Sequence, residues 1–488
     1  MHLPVRSFPW PIPYGRTTHE QVSNSCSGCD VGDDSPCDCR SHLQDQVEPV
    51  GSGASSIRAY PNLDKLEAMK ILVLGSGARE HAIIKALIRT GTNPEEITCA
   101  PGNGGISQEV KTVSIDANNP EAVTNWAREA STELVVIGPE APLVAGVSDA
   151  LRAAGIAVFG PSKAAAALEG SKAFAKDVMA AADVPTGMAR KCTSISEVES
   201  ALDEYGAPYV VKADGLAAGK GVIVTSDKQA ALDHANTFLA LGMEILVEEF
   251  LDGEEVSLFF LADGTSVLPL SPAQDFKRAY NFDKGPNTGG MGAYSPLPWL
   301  PVGFVQEVQE RVALPTVREL ARLGNPFVGL LYCGLIVTSK GIRVIEFNAR
   351  FGDPETQVVL RRLLTPLENL LHNAATGHLA EVAEPEFSSD VAVTVVLASE
   401  GYPVTSAPDR EITGLVGDTK SVEVAHAATK LVEGKLFATG GRVLSVVSTA
   451  TDFHEARRAA YEAICGINLE GSHYRTDIAL KVDEVENV

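Results

Sequence analysis

The sequence has no long apolar run and no excess of basic residues. Among its 488 residues, 63 Asp and Glu outnumber 40 Lys and Arg, which gives a formal net charge of -23 at pH 7. Nucleic acids and anionic membranes bind surfaces with clustered Lys and Arg, so this balance argues against either partner. No stretch approaches the roughly 18 to 20 apolar residues that span a bilayer. We therefore expect a soluble enzyme whose basic groups serve small anions locally.

Cysteine is scarce, and half of the eight cysteines are clustered. The clustered residues are Cys26, Cys29, Cys37 and Cys39. Their spacing does not match a standard zinc site, and the others occur singly in apolar segments, which favours a reducing compartment. Residues 1–68 contain no signal-peptide core and no Arg-rich transit peptide, so we expect a cytoplasmic protein. They also lack a hydrophobic period, and we expect a disordered, dispensable extension that ends before Met69.

Alternating strand and helix signals begin at Lys70. This alternation predicts a parallel sheet with a binding crevice at the carboxyl ends of its strands. The expected strands are Ile71–Leu74, Ile97–Ala100, Val113–Ile115, Leu134–Ile137 and Ala157–Phe159. An α+β region follows from about Lys172 to Gly377, and a last segment runs from about Val391 to Asp477. At roughly 100 to 200 residues per domain, the length suits three folded lobes.

The turn after the first strand is similar to a dinucleotide-binding fingerprint. A Rossmann site needs glycine at the sixth position of the motif, and Glu80 stands there, so NAD binding is disfavoured. The backbone donors at the helix N-terminus still form a candidate phosphate cradle. The alternative is that Gly75 and Gly77 only permit a tight turn.

A glycine-rich hairpin with two lysines marks the middle region. The strand that ends at Lys212 is followed by a segment of small residues containing Gly219, Lys220 and Gly221. Such a hairpin can fold over a triphosphate, because its amides and ammonium groups neutralise oxygens without steric obstruction. The alternative is a flexible surface hairpin without a ligand.

An acidic strand end and a second glycine-rich loop supply the remaining candidate site residues. Glu346 and Asn348 lie two apart on an expected strand, so both side-chain oxygens point to one face. Such oxygens suit Mg²⁺ bound to ATP phosphates. Arg350, expected on the same face, can clamp a phosphoryl group or a carboxylate. The loop from Gly285 to Pro296 lets the backbone approach a small ligand closely, which makes it a candidate substrate loop.

Taken in chain order, six motifs resemble those of ATP-grasp enzymes and, more narrowly, the phosphoribosylamine–glycine ligase (glycinamide ribonucleotide synthetase) family. They are GPEAPLV, LEGSKAF, KADGLAAGKGV, EEFLDGEE, GPNTGGMGAYSP and IEFNARFGDPETQ, and the resemblance runs from about Met69 to the C-terminus. It implies ATP-dependent ligation of glycine to 5-phosphoribosylamine through glycyl phosphate, the second step of de novo purine biosynthesis. The substrate amine is then the nucleophile, which agrees with the lack of a Ser, Cys and His constellation.

The resemblance also implies the fold and the cofactor. We expect an α/β and α+β multidomain fold with an N-terminal parallel-sheet (pre-ATP-grasp), phosphoribosylamine-binding domain at 69–168. An ATP-grasp domain would span 169–380 with a mobile lid at about 190–250, and a small C-terminal α+β domain would span 390–488. ATP is the expected co-substrate, Mg²⁺ or Mn²⁺ the expected cofactor, and a monomer the expected state.

The site residues implied by the resemblance form four groups. ATP would contact Lys172, Lys212, Gly219, Lys220, Gly221, Glu248, Leu251 and Glu255. The metal would be held by Glu346 and Asn348. The catalytic residues would be Arg350, Lys212 and Asp275. The substrates would contact Gly75, Gly77, Arg79, Glu80, Asn103, Gly138, Pro139, Glu140, Asn287, Thr288, Gly289, Gly290, Met291, Gly292, Arg350, Asp353 and Pro354.

Two departures and two alternatives remain at this point. Phe276 stands where family members usually have histidine, which removes a polar substrate contact, and the stretch before Val247 is a few residues short. We expect altered substrate affinity rather than lost activity. The alternatives are another ATP-grasp carboxylate–amine ligase and a nucleotide-sensing protein without turnover.

Overall fold

Short strands rich in Val, Ile and Leu form a five-stranded parallel sheet at the start of the fold. The structure is a computed structural model and describes residues 69–215, 221–415 and 417–486. The strands, in the spatial order β3-β2-β1-β4-β5, are β1 (Ile71–Gly75), β2 (Ile97–Pro101), β3 (Lys111–Thr112), β4 (Leu134–Ile137) and β5 (Ala157–Phe159). The predicted parallel sheet is confirmed. The expected extension 1–68 and the residues Gly219 and Lys220 lie outside the described residues.

The position of β1 between β2 and β4 creates the crevice. Strand order changes direction at β1, so the loops at the carboxyl ends of these three strands meet at one edge of the sheet. One prediction is wrong in its bounds: the third strand is Lys111–Thr112, and Val113–Ile115, which we expected to form it, come after its end because the pairing with β2 stops at Thr112. The helices of this part are α1 (Ala78–Arg89), α2 (Ile106–Glu109), α3 (Pro120–Glu129), α4 (Glu140–Ala145), α5 (Val147–Ala153) and α6 (Lys163–Gly170).

A second, antiparallel sheet follows and has a hydrophobic core of its own. Its spatial order is β6-β9-β7-β8. The elements are α7 (Lys172–Ala181), β6 (Ala189–Cys192), α8 (Ile195–Tyr205), β7 (Tyr209–Ala213), β8 (Val222–Thr225), α9 (Lys228–Leu239) and β9 (Ile245–Glu248). Cys192, Leu202, Val211 and Val247 belong to a cluster of buried residues that is separate from the two larger clusters of the protein.

A third sheet, also antiparallel, carries the predicted metal ligands. Its spatial order is β11-β10-β16-β17. The strands of this region are β10 (Glu254–Asp263), β11 (Val267–Pro269), β12 (Gln274–Asp275), β13 (Arg278–Tyr280), β14 (Lys284–Asn287), β15 (Gly292–Ser295), β16 (Val328–Thr338) and β17 (Gly341–Asn348). The helices are α10 (Phe304–Val308), α11 (Leu314–Arg322), α12 (Glu355–Arg362) and α13 (Leu367–Thr376).

The C-terminal sheet takes two of its five strands from the middle region. Its order is β12-β15-β18-β23-β20, so the candidate substrate loop is joined to the C-terminal strands by hydrogen bonds. The C-terminal elements are β18 (Val391–Ala398), β19 (Arg410–Ile412), β20 (Val422–His426), β21 (Thr429–Val432), β22 (Lys435–Ala438), β23 (Arg442–Ala450), α14 (Phe453–Cys465) and α15 (Leu480–Glu486). Among the described residues, no helix has both the length and the apolar content that crossing a bilayer requires.

A buried polar cluster connects α1 and α2 with the C-terminal strands. His81 Nδ1 accepts the backbone N–H of His426 at 2.8 Å, so neutral His81 carries its proton on Nε2 and donates it to Glu109 at 3.0 Å. Lys85 bridges Glu109 and Asp418. Burial lowers the pKa of His81. Burial and the neighbouring His81 and Lys85 lower the pKa of His426 to about 3.

This cluster predicts a loss of stability in mild acid. Below the ordinary histidine pKa of about 6.5 the unfolded chain takes up a proton that folded His426 does not, which costs about 2 kcal/mol at pH 5. The contribution is intact above that pKa and is lost as pH falls. We expect the decrease in melting temperature from pH 7 to pH 5 to be smaller in His426→Phe than in the unmodified protein.

Thermal unfolding at the two pH values checks this expectation. His378→Phe, at an exposed histidine, is the matched control and should keep the full decrease. An equal decrease in His426→Phe and the unmodified protein would contradict it.

Candidate active site

Three lysine side chains converge where the second sheet meets the third. Lys212, at the end of β7, donates to Glu248 at 3.0 Å and to the carbonyl of Ile345 on β17 at 3.4 Å. Lys176 lies 3.4 Å from the same carboxylate of Glu248. Burial lowers the pKa of Lys172, at the start of α7. Lys212 and Lys176 share the carboxylate of Glu248, and Lys172 interacts electrostatically with Glu346 and Glu248, so the ammonium groups of this cluster suit the oxygens of a polyphosphate.

Lys176 was not among the predicted residues, although the sequence contains a signal for it. It follows Lys172 by four positions, so the two side chains lie on one face of α7. Of the glycines in the predicted phosphate hairpin, Gly221 is described. Its carbonyl accepts the N–H of Ala213 at 2.7 Å and closes the base of the β7–β8 hairpin.

The predicted adenosine residues lie in different surroundings. Leu251 packs beside Gly187, where an added Cβ would stand 3.4 Å from its Cδ1. Glu248 belongs to the lysine cluster, whereas Glu255 pairs with Lys277 at 2.6 Å. In this structure Glu248 and Glu255 are therefore paired with different lysines.

Glu346 and Asn348 stand at the end of β17, two positions apart as predicted. In the described parts of the chain, neither side chain forms a hydrogen bond or ion pair with another protein group. Burial acts to raise the pKa of Glu346, but Lys277 and Lys212 outweigh it and hold this pKa below its ordinary value. An ionised carboxylate beside an amide oxygen fits Mg²⁺ or Mn²⁺, which would complete its coordination with phosphate oxygens and water. Consistent with so small a donor set, the described residues contain no cluster of three or more potential His, Cys, Asp or Glu ligands.

Arg350 lies beyond the strand that was expected to carry it, because β17 ends at Asn348. Its guanidinium lies 3.1 Å from Glu169 and 3.6 Å from Glu140. Glu169 also accepts the N–H of Ala349 at 2.7 Å. Burial acts to lower the pKa of Arg350, but the two carboxylates outweigh it and raise this pKa. Glu169 was missed as a site residue, although the LEGSKAF motif contains it.

The first glycine-rich turn holds a carboxylate of its own. Glu80 accepts the N–H of Gly77 at 2.6 Å and the Nε–H of Arg79 at 2.6 Å. An added Cβ on Gly138 would lie 2.0 Å from the Glu80 carboxylate, and one on Gly75 would lie 2.5 Å from its Cγ. These glycines make room for Glu80, which caps α1 where the fingerprint would hold a phosphate. In this structure the Gly77 amide is bound by Glu80, so a phosphate there would have to replace that carboxylate; the phosphate cradle stays a prediction.

Asn103 has every polar group of its side chain engaged with the backbone. Its Nδ2 donates to the carbonyls of Ser76 at 2.9 Å and His426 at 2.7 Å. Its Oδ1 accepts the N–H groups of Gly105 at 2.9 Å and Ile106 at 3.0 Å. In this structure Asn103 positions the crevice loop against the C-terminal strands, and a substrate would have to displace one of these bonds.

Three other predicted residues, Pro139, Glu140 and Arg79, connect the crevice to the third sheet. Pro139 caps α4 and Glu140 begins it, so Glu140 can reach Arg350. Arg79 donates to the carbonyl of Phe351 at 3.1 Å. The parallel sheet is thus tied directly to the segment that follows the metal-ligand pair.

The glycine-rich loop is held mainly through its backbone. Thr288 donates its hydroxyl to the carbonyl of Lys277 at 2.8 Å and accepts the N–H of Gly290 at 3.0 Å. Met291 donates its N–H to the carbonyl of Phe276 at 2.8 Å. The loop therefore follows the backbone of the segment that contains Asp275.

Glycine is required where this loop touches its neighbours. Gly290 has a φ of +110°, and an added Cβ would lie 2.3 Å from Cδ of Pro354. An added Cβ on Gly292 would lie 2.6 Å from the carbonyl oxygen of Thr394. Asn287, in contrast, is exposed at the end of β14. The loop lies directly on the segment that contains Pro354, as expected for one substrate pocket.

Asp275 and Phe276 have distinct environments on adjacent positions. Burial, opposed by Lys277 and assisted by Glu355, raises the pKa of Asp275. The ring of Phe276 lies 5.0 Å from the guanidinium carbon of buried Arg475, a cation–π contact. A protonated histidine at position 276 would face that cation. The predicted effect of Phe276 on substrate affinity stays a prediction.

We expect Gly138→Ala to impair the crevice, because its Cβ would displace Glu80. Overpacking of this kind typically costs about 1–3 kcal/mol of unfolding free energy, and the melting temperature should fall. Gly417→Ala is the control, because an added Cβ there meets nothing within 4 Å. Thermal unfolding of both variants is the measurement, and an unchanged melting temperature in Gly138→Ala would show that Glu80 moves at no cost.

Three family models match the chain in succession. They are described as the N domain, the ATP-grasp (A) domain and the C domain of phosphoribosylglycinamide synthetase, and they match residues 69–169, 170–356 and 392–481. The chain is 62% identical over 418 residues to a phosphoribosylamine–glycine ligase from Leifsonia xyli, with 85% of this chain and 100% of the relative covered.

Solved structures show the same architecture. A phosphoribosylamine–glycine ligase from Thermotoga maritima is 30% identical with a TM-score of 0.73, covering 83% of this chain and 99% of that one. A biotin carboxylase domain of 2-oxoglutarate carboxylase from Hydrogenobacter thermophilus, solved with ADP and magnesium, is 17% identical with a TM-score of 0.63. It covers 84% of this chain and 92% of that one, and at this identity the likeness shows the fold alone.

Proposed function

The chain belongs to the phosphoribosylglycinamide synthetase family, and we propose that it joins glycine to 5-phosphoribosylamine with ATP, giving glycinamide ribonucleotide, ADP and phosphate. One structural observation supports this proposal independently of the family assignment. Lys212 contacts the backbone of Ile345 at 3.4 Å, which sets the ammonium cluster beside the oxygens of Glu346 and Asn348. A site for polyphosphate thus adjoins a site for the metal, as phosphoryl transfer requires.

Glycine carboxylate must first be activated, because it is a poor electrophile. In our proposal a carboxylate oxygen of glycine attacks the γ-phosphorus of ATP, ADP leaves, and glycyl phosphate forms. Lys172, Lys176 and Lys212 hold the ATP phosphates during this step. Mg²⁺ or Mn²⁺, when bound by Glu346 and Asn348, supplies positive charge to the phosphate oxygens.

The amine of phosphoribosylamine then attacks the acyl carbon, and phosphate leaves. Arg350, close to both Glu169 and Glu140, is the group that we propose steadies the acyl phosphate. Asp275, whose raised pKa suits proton transfer near neutral pH, takes a proton from the attacking amine. No nucleophilic side chain takes part, so positioning and charge supply most of the rate enhancement.

We propose domain boundaries at 69–168, 169–380 and 390–488, with a lid at about 190–250. The separate core of the second sheet supports a lid that moves as one body. Its closure would exclude water that hydrolyses the acyl phosphate. The buried free thiols of Cys99, Cys192 and Cys333 support a reducing, cytoplasmic compartment. We also propose that the protein is a monomer.

The proposed reaction predicts phosphate release that requires both substrates. We expect the purified chain with Mg²⁺ and ATP to release phosphate only when glycine and freshly made phosphoribosylamine are both present, with the ribonucleotide product detected by mass spectrometry. Substituting other amino acids for glycine is the control. Release with another acid would favour a different carboxylate–amine ligase, and ATP binding without release would favour a sensor.

The metal assignment predicts a specific defect in Glu346→Gln. Loss of one carboxylate should weaken Mn²⁺ binding by at least about 10-fold, the lower end of the loss seen for partners that only support metal ligands. Electron paramagnetic resonance of Mn²⁺ with ADP measures this directly. Glu307→Gln, at an exposed carboxylate, is the control. Equal Mn²⁺ affinity in Glu346→Gln and the unmodified protein would remove Glu346 from the metal site.

A further inference from the structure

Arg442, the first residue of β23, reaches from the C-terminal domain into the candidate substrate pocket. Its Nη1 donates to the carbonyl of Gly289 at 2.6 Å, to that of Gly290 at 3.3 Å and to that of Asp353 at 2.8 Å. Its Nη2 donates to the Asp353 carboxylate at 3.0 Å. One guanidinium thus joins the glycine-rich loop to the segment on which the loop lies.

The partners of Arg442 are themselves fixed in place. The second carboxylate oxygen of Asp353 accepts the side-chain N–H of Gln357 at 2.8 Å. The N–H of Gly289 donates to the hydroxyl of Tyr402 at 3.0 Å, a second contact from the C-terminal domain. An added Cβ on Gly289 would lie 3.0 Å from Cζ of Arg442, so the loop backbone rests against the guanidinium.

These bonds matter because Thr288 and Met291 are held by the backbone of Lys277 and Phe276, whereas the carbonyls of the two glycines between them are bound by Arg442. Glycine residues contribute no side chains, and their backbone is freer than that of other residues. The loop's position over Pro354 therefore depends on the groups that bind its carbonyls. In the described residues, Arg442 is the side chain that binds the carbonyls of both Gly289 and Gly290.

We propose that Arg442 is a positioning residue for the glycine step, holding the Gly289–Gly290 backbone against Asp353 so that the pocket for the amino acid is preformed. The inference rests on the proposed function, which assigns this loop to glycine and its acyl phosphate. Arg442 acts through the loop rather than on the reacting atoms. The lysine cluster has other partners, so ATP binding does not depend on Arg442.

The shape of the guanidinium explains why arginine stands at this position. Three carbonyls lie around Nη1, whose two N–H groups serve them by sharing one hydrogen between two acceptors, and Nη2 donates to the Asp353 carboxylate in the same plane. An ammonium group keeps the positive charge but cannot reach all of these acceptors. We therefore expect Arg442→Lys to retain part of the function that Arg442→Gln loses. Arg442→Gln removes the charge and most of the bonds.

The test compares the KM for glycine with the affinity for ATP. Loss of charge-assisted hydrogen bonds predicts a rise in the glycine KM of about 10- to 100-fold in Arg442→Gln, with a smaller change in kcat. Arg442→Lys should give an intermediate KM, and Tyr402→Phe a small rise in the same direction. The Kd for ATP, measured by calorimetry, should stay within about twofold. Arg458→Gln, an exposed arginine on α14, is the matched control.

The glycine KM, the ATP Kd and the melting temperature together decide whether Arg442 positions the loop. A glycine KM that rises while the ATP Kd and melting temperature hold supports the inference. A glycine KM unchanged in both Arg442 variants overturns it, and so does an equal loss of ATP affinity together with a lowered melting temperature. If the unmodified protein shows no glycine-dependent phosphate release, the proposed function fails and this inference falls with it.

Discussion

The guanidinium of Arg350 is held by two carboxylates from separate elements, Glu169 at 3.1 Å and Glu140 at 3.6 Å. A buried charge without partners carries a desolvation penalty of several kcal/mol, so this pairing constrains both elements. Glu140 begins α4 at the crevice of the parallel sheet, and Glu169 lies near the end of α6. The pairing therefore fixes the crevice relative to β17. In the proposed reaction, the amine at the crevice and the acyl phosphate near Arg350 can meet only if these two parts keep that relation.

The lysine cluster is also held by pairing of opposite charges, but here one carboxylate, Glu248, is shared by more than one cation. Glu248 faces both Lys212 and Lys176, and Lys172 adds a further ammonium group nearby. A local excess of cations is unfavourable until an anion joins it, and a triphosphate supplies that anion. The carboxylate of Glu346 interacts electrostatically with Lys277, Lys212 and Lys172, which favour its ionised form. Phosphate and metal would each stabilise the binding of the other, because each neutralises charge that the other leaves.

The sequence allowed the fold to be predicted where the signal is local. The runs that became β1, β4 and β5 are short and apolar, and their alternation with helices predicts a parallel sheet without any knowledge of contacts. The pairing of β15 with β18 joins segments about a hundred residues apart and has no local signal, so it was not predicted. The glycines at 75 and 138 were noticed, but their reason, the Glu80 side chain, depends on two distant turns meeting.

The same difference between local motifs and contacts of distant segments applies to the candidate site residues. Lys212, Glu346 and Asn348 lie in motifs whose residue types fit phosphate and metal chemistry on sequence alone. Glu169 and Lys176 were missed although the LEGSKAF motif and the helical spacing from Lys172 contain a signal for them, whereas Arg442 acts through a tertiary contact that no local pattern reveals. A search restricted to motifs finds the groups that face ligands more readily than the groups that hold them in place.

The C-terminal sheet shows that the segment of chain assigned to a domain can differ from the set of strands that stabilises it. Strands β12 and β15 belong to the middle region by position, yet β15 pairs with β18 along four residues. Asp275 ends β12, and the glycine-rich loop leads into β15, so both depend on that pairing. Separating the C-terminal strands would expose the backbone groups of β15, each of which needs a new hydrogen-bond partner. The middle region therefore cannot hold its substrate loop in this position without the strands that follow it by a hundred residues.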